Sequence, residues 1–145
     1  MTVALGVDVG TVRVGLAASD PSGSLASPVA SLPARDPEAV WRRIAEESRT
    51  REATHLVVGL PRRLDGGEGE AAAAARRFGS VAAERCGLRV EYFDERFSTV
   101  QAERTLIQQG VRRQRRRQSV DAHAAALVLQ GWLDARRLAP RGSAG

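Results

Sequence analysis

The sequence predicts a single α/β domain built on a mixed sheet, three antiparallel strands followed by parallel ones, flanked by helices. Three observations predict it. Strand-like segments follow one another in hairpin style at the start of the chain, and helix-like and strand-like segments alternate after them. The 145 residues suffice for one sizeable core and leave no room for a second.

Residues 3–9, VALGVDV, are apolar at nearly every position, as in a central strand covered on both faces. Gly10 and Thr11 make a short turn, and residues 12–19 form the returning strand. The turn-forming DPSG at 20–23 precedes a third strand near 27–33. Asp36 caps a helix with Pro37 at its first position, which runs to about Arg51 and carries Val40, Ile44 and Trp41 on its apolar face. HLVVGL at 55–60 is a short buried strand ended by Pro61. A loop containing Asp65, Gly66, Gly67 and Gly69 leads to an alanine-rich helix at 70–86, which Gly87 terminates. LRVEYF at 88–93 is a further strand, and Ser98 caps a helix to about Gln109. Ser119 caps the last helix, which reaches about Leu138. The domain therefore spans 1–138, and the tail 139–145 is expected to be disordered.

Composition narrows the function. Cys86 is the single cysteine, which excludes an internal disulfide and a cysteine-built zinc cage. No apolar run approaches the roughly 20 residues of a membrane span. The first apolar stretch is broken by glycines and Asp8, unlike a signal-peptide core, so a soluble cytoplasmic protein without a membrane partner is expected. The net charge is +5, and all 22 basic residues are arginine. Arg112, Arg113, Arg115, Arg116 and Arg117 fall together with no acid among them. Such a run favours a polyanion, because each neutralised phosphate releases counterions. A solvated surface loop is its alternative reading.

Asp8 sits near the end of a strand with apolar neighbours, where an unpaired carboxylate costs several kcal/mol unless it is paired, protonated or bound to metal. Asp121 repeats the puzzle, for at helical spacing it shares a face with Ala125, Val128 and Trp132, the stripe expected to pack on the sheet. The third acidic element, Asp94-Glu95-Arg96, ends a strand. Alternation groups Asp94 with Leu88, Val90 and Tyr92, and Glu95 with Arg89, Glu91 and Phe93. Acids at the ends of the 3–9 and 88–93 strands, lying side by side, and one from a helix behind them can converge on Mg2+ or Mn2+, hard cations that take oxygen ligands. Two such ions activate a water and stabilise the leaving oxygen of a phosphodiester. Arg13 and Arg96 lie beside these acids and could clamp a phosphate. The glycines of the 61–69 loop could let backbone amides approach one. His123 is a candidate for proton transfer, while His55 and Cys86 read as structural.

Four segments resemble the YqgF/RuvX family in order and spacing: LGVDVGTVRVGLAASD at 5–20, VVGLPRRLDGGEG at 57–69, DERFSTVQAE at 94–103 and VDAHAAALVLQGWL at 120–133. With the intervening elements they cover essentially all of residues 3–138. The resemblance implies a ribonuclease H-like fold related to the bacterial Holliday-junction resolvase. It also implies a nuclease that matures the 5′ end of pre-16S ribosomal RNA, in contact with ribosomal precursor particles, with resolvase-like action on branched DNA as the alternative. By position, the family's acidic metal site falls on Asp8, Glu95 of the DER motif and Asp121. The resolvase proper tends to carry two acids near the start of its last helix, whereas this chain has one. Two competing readings stand beside the nuclease. An actin-like ATPase shares the GVDVGT hairpin at 6–11 but needs a duplicated domain, and a nonenzymatic RNA-binding assembly factor leaves Asp8 and Asp121 without a purpose.

Overall fold

The computed structural model describes residues 2–97 and 113–138. Five strands and three helices follow one another: β1 (Ala4–Val9), β2 (Arg13–Ser19), β3 (Ala26–Pro33), α1 (Pro37–Arg51), β4 (His55–Leu60), α2 (Glu70–Cys86), β5 (Arg89–Asp94), a 3-10 turn (Glu95–Phe97) and α3 (Arg113–Leu138). The sheet order is β3-β2-β1-β4-β5. The first three strands pair antiparallel, and β4 and β5 join in parallel, as the alternating pattern predicts.

Local chemistry sets the helix ends. The Asp36 carboxylate accepts from the Ala39 amide at 3.3 Å, and Pro37 needs no hydrogen-bond partner in the first turn. At the other end Glu52 turns left-handed, φ 54°, so that its amide reaches the Ser48 and Arg49 carbonyls. α2 stops at Gly87, φ 66°.

The two faces of the sheet are built differently. Leu5, Val7, Val14, Leu16, Leu56, Val58 and Leu60 point to one side and form the main core with Val40 and Ile44 of α1 and the small residues Ala72, Ala75 and Ala82 of α2. Trp41 of α1 stacks on Phe78 of α2, ring centroids 4.5 Å apart. Most of the alternate positions, on the α3 side, are small: Ala4, Gly6, Gly15, Ala17 and Gly59, with Val57 beside them. Against them α3 lays Ala125, Val128, Leu129 and Trp132, all buried, which is the stripe read from its helical spacing. A β-carbon on Gly6 would stand 2.7 Å from Leu129 Cβ and 2.9 Å from the Ala125 carbonyl oxygen. The helix therefore rides directly on the backbone of the sheet. Gln130 fastens it there, accepting from the Ala26 amide and donating to the Ser24 carbonyl, both at 2.9 Å.

Two expectations are corrected. β1 and β5 are not neighbours, because each successive parallel crossover adds its strand on the outer side and β4 lies between them. Nor does Ser119 cap α3, since the helix already runs from Arg113. The arginines and glutamines of 113–118 are good helix formers and carry it past the serine. Strand limits otherwise agree to within one residue, and both α1 and α2 have the expected bounds. The helix expected at 98–109 and the tail 139–145 lie outside the described residues.

Candidate active site

Asp8 pairs with Gly15 across β2, and Gly15 with Ser31 across β3. On the other flank Val7 pairs with Val58, which brings Gly59 next in line with Asp8. Asp8 thus stands in a cross-strand row between two glycines, on the side of the sheet that α3 covers. Each glycine leaves a gap, and each gap is filled. A β-carbon on Gly15 would collide with the Asp121 carbonyl oxygen of α3, and one on Gly59 would collide with Glu95 Oε1. Asp8 and Glu95 are thus brought together over a missing side chain, across an intervening strand rather than along adjacent ones, while α3 seats the Asp121 backbone against Gly15.

Glu95 opens the 3-10 turn after β5 and folds its carboxyl back over Gly59 to hydrogen-bond with Asp8. Burial above all, then the Asp8 contact and the Asp8 and Asp94 charges, push its pKa up to about 9. Glu95 therefore holds a proton at neutral pH and shares it with Asp8. Asp121 is half-buried and is also raised, first by burial and then by the charge of Asp8. Arg13 and the neighbouring Ser31 hydroxyl pull it the other way, although that buried hydroxyl makes no hydrogen bond of good geometry.

Asp94 points to the opposite side, as alternation requires. It accepts from the Arg96 guanidinium at 2.7 Å and lies 3.7 Å from Arg62, and the Arg96 hydrogen bonds hold it below the usual carboxylate range. Arg96 is thus committed to Asp94. The 61–69 loop keeps its glycine amides for itself. Its Gly66 amide donates to the Arg63 carbonyl at 2.8 Å and its Gly67 amide to Asp65 at 2.7 Å, so neither amide is offered to a phosphate. His123 makes no hydrogen bond or ion pair among the described residues, and His55 packs at the far end of α3, between Glu91 at 3.6 Å and the Trp132 ring. Arg112 lies outside the described residues. Arg113, Arg115, Arg116 and Arg117 fall in the first turns of α3 rather than in a loop, and their side chains lie outside the described part.

No three acidic, histidine or cysteine side chains among the described residues close around a common point as a ready cation cage. The donor set nevertheless fits a hard divalent cation. It consists of carboxyl oxygens alone, and two of the three carboxyls bind protons more tightly than a free side chain, first because they are buried and then because of the charge of Asp8.

A family model described as "RuvX: Holliday junction resolvase" matches residues 2–135. The chain belongs to the RuvX family. Curated relatives of this RuvX chain carry the name "Putative pre-16S rRNA nuclease". One, from Myxococcus xanthus, is 43% identical over 92% of this chain and 88% of its own length. Another, from an Anaeromyxobacter species, is 46% identical over 91% of this chain and 96% of its own. Among solved structures, Thermus thermophilus RuvC in complex with Holliday junction substrate superposes with a TM-score of 0.59 at 17% identity, covering 94% of this chain and 96% of that one. The fowlpox virus resolvase, also solved with junction DNA, gives 0.56 at 10% identity, covering 93% and 99%. These likenesses establish the ribonuclease H-like fold expected from the four segments. No helix of the described residues is long and apolar enough to cross a membrane.

Proposed function

We propose that this RuvX protein is a divalent-metal-dependent nuclease that matures the 5′ end of pre-16S ribosomal RNA. The observation that carries the reading is the Asp8–Glu95 carboxyl pair, seated between two glycines with Asp121 within electrostatic reach. Relatives named as pre-16S rRNA nucleases support the substrate. Asp8, Glu95 and Asp121 are the residues that would hold Mg2+ or Mn2+. When bound, such ions supply an activated water and stabilise the leaving oxygen of the phosphodiester. The chain's own part is to give up the proton shared by Asp8 and Glu95, to hold three carboxyls against their mutual repulsion, and to bring the strand in along positive charge. Arg13, whose charge reaches Asp121, and the arginines of 112–117 serve that last purpose.

The described resolvase family and the resolvase neighbours favour one second reading, cleavage of branched DNA. Purified protein, assayed with Mg2+ or Mn2+ on precursor 16S rRNA and on a four-way DNA junction, separates the two. Metal-dependent trimming of the RNA is the expected result. Cleavage of the junction alone would reverse the assignment, and metal-independent binding without cleavage of either would leave an assembly factor.

A further inference from the structure

On the β2–β3 side of Asp8 the surface opens into a groove lined by Thr11, Val12, Arg13, Pro33 and Arg35, with a volume of about 380 Å³. Its floor is fixed. The Gly10 amide donates to the Arg13 carbonyl and the Ala34 amide to the Val12 carbonyl, both at 2.9 Å, so the hairpin turn is tied to the end of β3. Held in this way, Val12 still exposes 75% of its surface, an uncompensated apolar side chain on a rigid turn. Pro33, directly opposite Arg13 in the β2–β3 register, supplies a second apolar wall.

The charge of the groove is one-sided. Arginines elsewhere are spent on acids: Arg62 and Arg96 on Asp94, Arg76 on Glu68, Arg85 on Glu38. Arg13 and Arg35 make no salt bridge among the described residues, and no acid lines the groove. Asp36, next to Arg35 in sequence, is engaged in capping α1. Two guanidinium groups without a salt bridge among the described residues, beside two apolar walls, are complementary to an anionic group joined to a flat apolar one. The volume is at the small end of ligand clefts.

We propose that this groove holds one unpaired nucleotide of the substrate strand next to the carboxylates, its phosphate on Arg13 and Arg35 and its base against Val12 and Pro33. The proposal deepens the nuclease reading and rests on it only in that a strand must reach Asp8. A base leaning on Val12 must be unstacked, so the groove selects single-stranded segments over paired ones. RNA and DNA share this chemistry.

The test is binding, in an Asp8→Asn background that cannot cleave, of short labelled single strands of RNA and DNA and of the corresponding duplexes. Arg35→Gln is expected to weaken binding of single strands and to lower the log–log salt slope by about 0.7, the release of one phosphate's counterion. Val12→Ser is expected to weaken single strands roughly fivefold, through lost apolar burial, with salt slope and duplex affinity unchanged. A loss with RNA only, or with both strands, supports the groove and names its source. Parental affinity in both variants overturns it, as does an equal loss for duplex and single strand in Val12→Ser. If the unmutated protein cleaves while the groove variants bind normally, the groove falls and the nuclease stands. If they bind weakly in a protein that cleaves nothing, the groove stands and the nuclease falls.

Discussion

Replacing Gly59 by alanine sets a methyl group against Glu95 Oε1 and 3.0 Å from Val128 Cγ2. The carboxyl is the far end of a flexible chain and can yield, so the fold should lose only about 1–2 kcal/mol, the lower range of overpacking costs. Glu95 must then leave Asp8. Metal-dependent cleavage is expected to fall far more than stability, and activity measured beside a denaturant titration checks this. Gly15→Ala differs, because its methyl meets the Asp121 backbone carbonyl, which cannot move without shifting α3. It should destabilise more than Gly59→Ala. Asp8→Asn is expected to abolish cleavage and preserve the fold, with no loss of thermal stability in chelator, because the change removes a charge from a crowded group and keeps its volume. Glu95 adds a dependence on pH. Its folded pKa, about 9, lies above the unfolded value near 4.5, so between these limits the folded state holds the extra proton. In chelator, the stability that this proton contributes is fully present below pH 4.5 and is lost as pH rises towards 9. Melting temperatures of Glu95→Gln should decline less over that window, and parallel curves would count against a shared proton.

The elements differ in how legible they were. α1 and α2 announce their limits with Asp36-Pro37 and Gly87, local signals that tertiary packing left undisturbed. The start of α3 was misjudged because a serine before an apolar stripe looks like a cap, whereas good helix formers upstream of it extend the helix. β1 is apolar at nearly every position and reads as a strand covered on both faces. Its alternation of Leu5, Val7 and Val9 against Ala4, Gly6 and Asp8 was visible, but a glycine in a strand usually signals weakness rather than room for a helix. The clamp by Gln130 had no signal in sequence, since its partners Ser24 and Ala26 lie over a hundred positions away. Gln130→Ala should cost about 1–3 kcal/mol, from two half-buried hydrogen bonds at roughly 0.5–1.5 kcal/mol each, seen as a lower denaturant midpoint with unchanged slope. Changing Arg113, Arg115, Arg116 and Arg117 to glutamine should keep the helix, raise the dissociation constant for nucleic acid and flatten its salt dependence. Unchanged affinity would return these residues to a solvated surface.

At the scale of the molecule, the identity of the three acids was legible and their route to one another was not. Strand order is a property of crossovers, and placing β4 between β1 and β5 turned a supposed contact of neighbours into a reach across Gly59. Gathered negative charge should make the whole protein respond to metal. Mg2+ or Mn2+ is expected to raise the melting temperature of the native protein and to do so much less in Asp8→Asn, since only ligand-binding to the folded state stabilises. An equal rise in both would mean that the ions act elsewhere.

The glycine-lined face of the sheet has a consequence for folding order. Asp121 lies on the helix that covers Gly6 and Gly15, so it reaches the neighbourhood of Asp8 only when that face is already covered. Until α3 docks, a partly folded chain carries Asp8 and Glu95 without the third acid. Cleavage should therefore be the last property to return on refolding, after the sheet, α1 and α2 have formed.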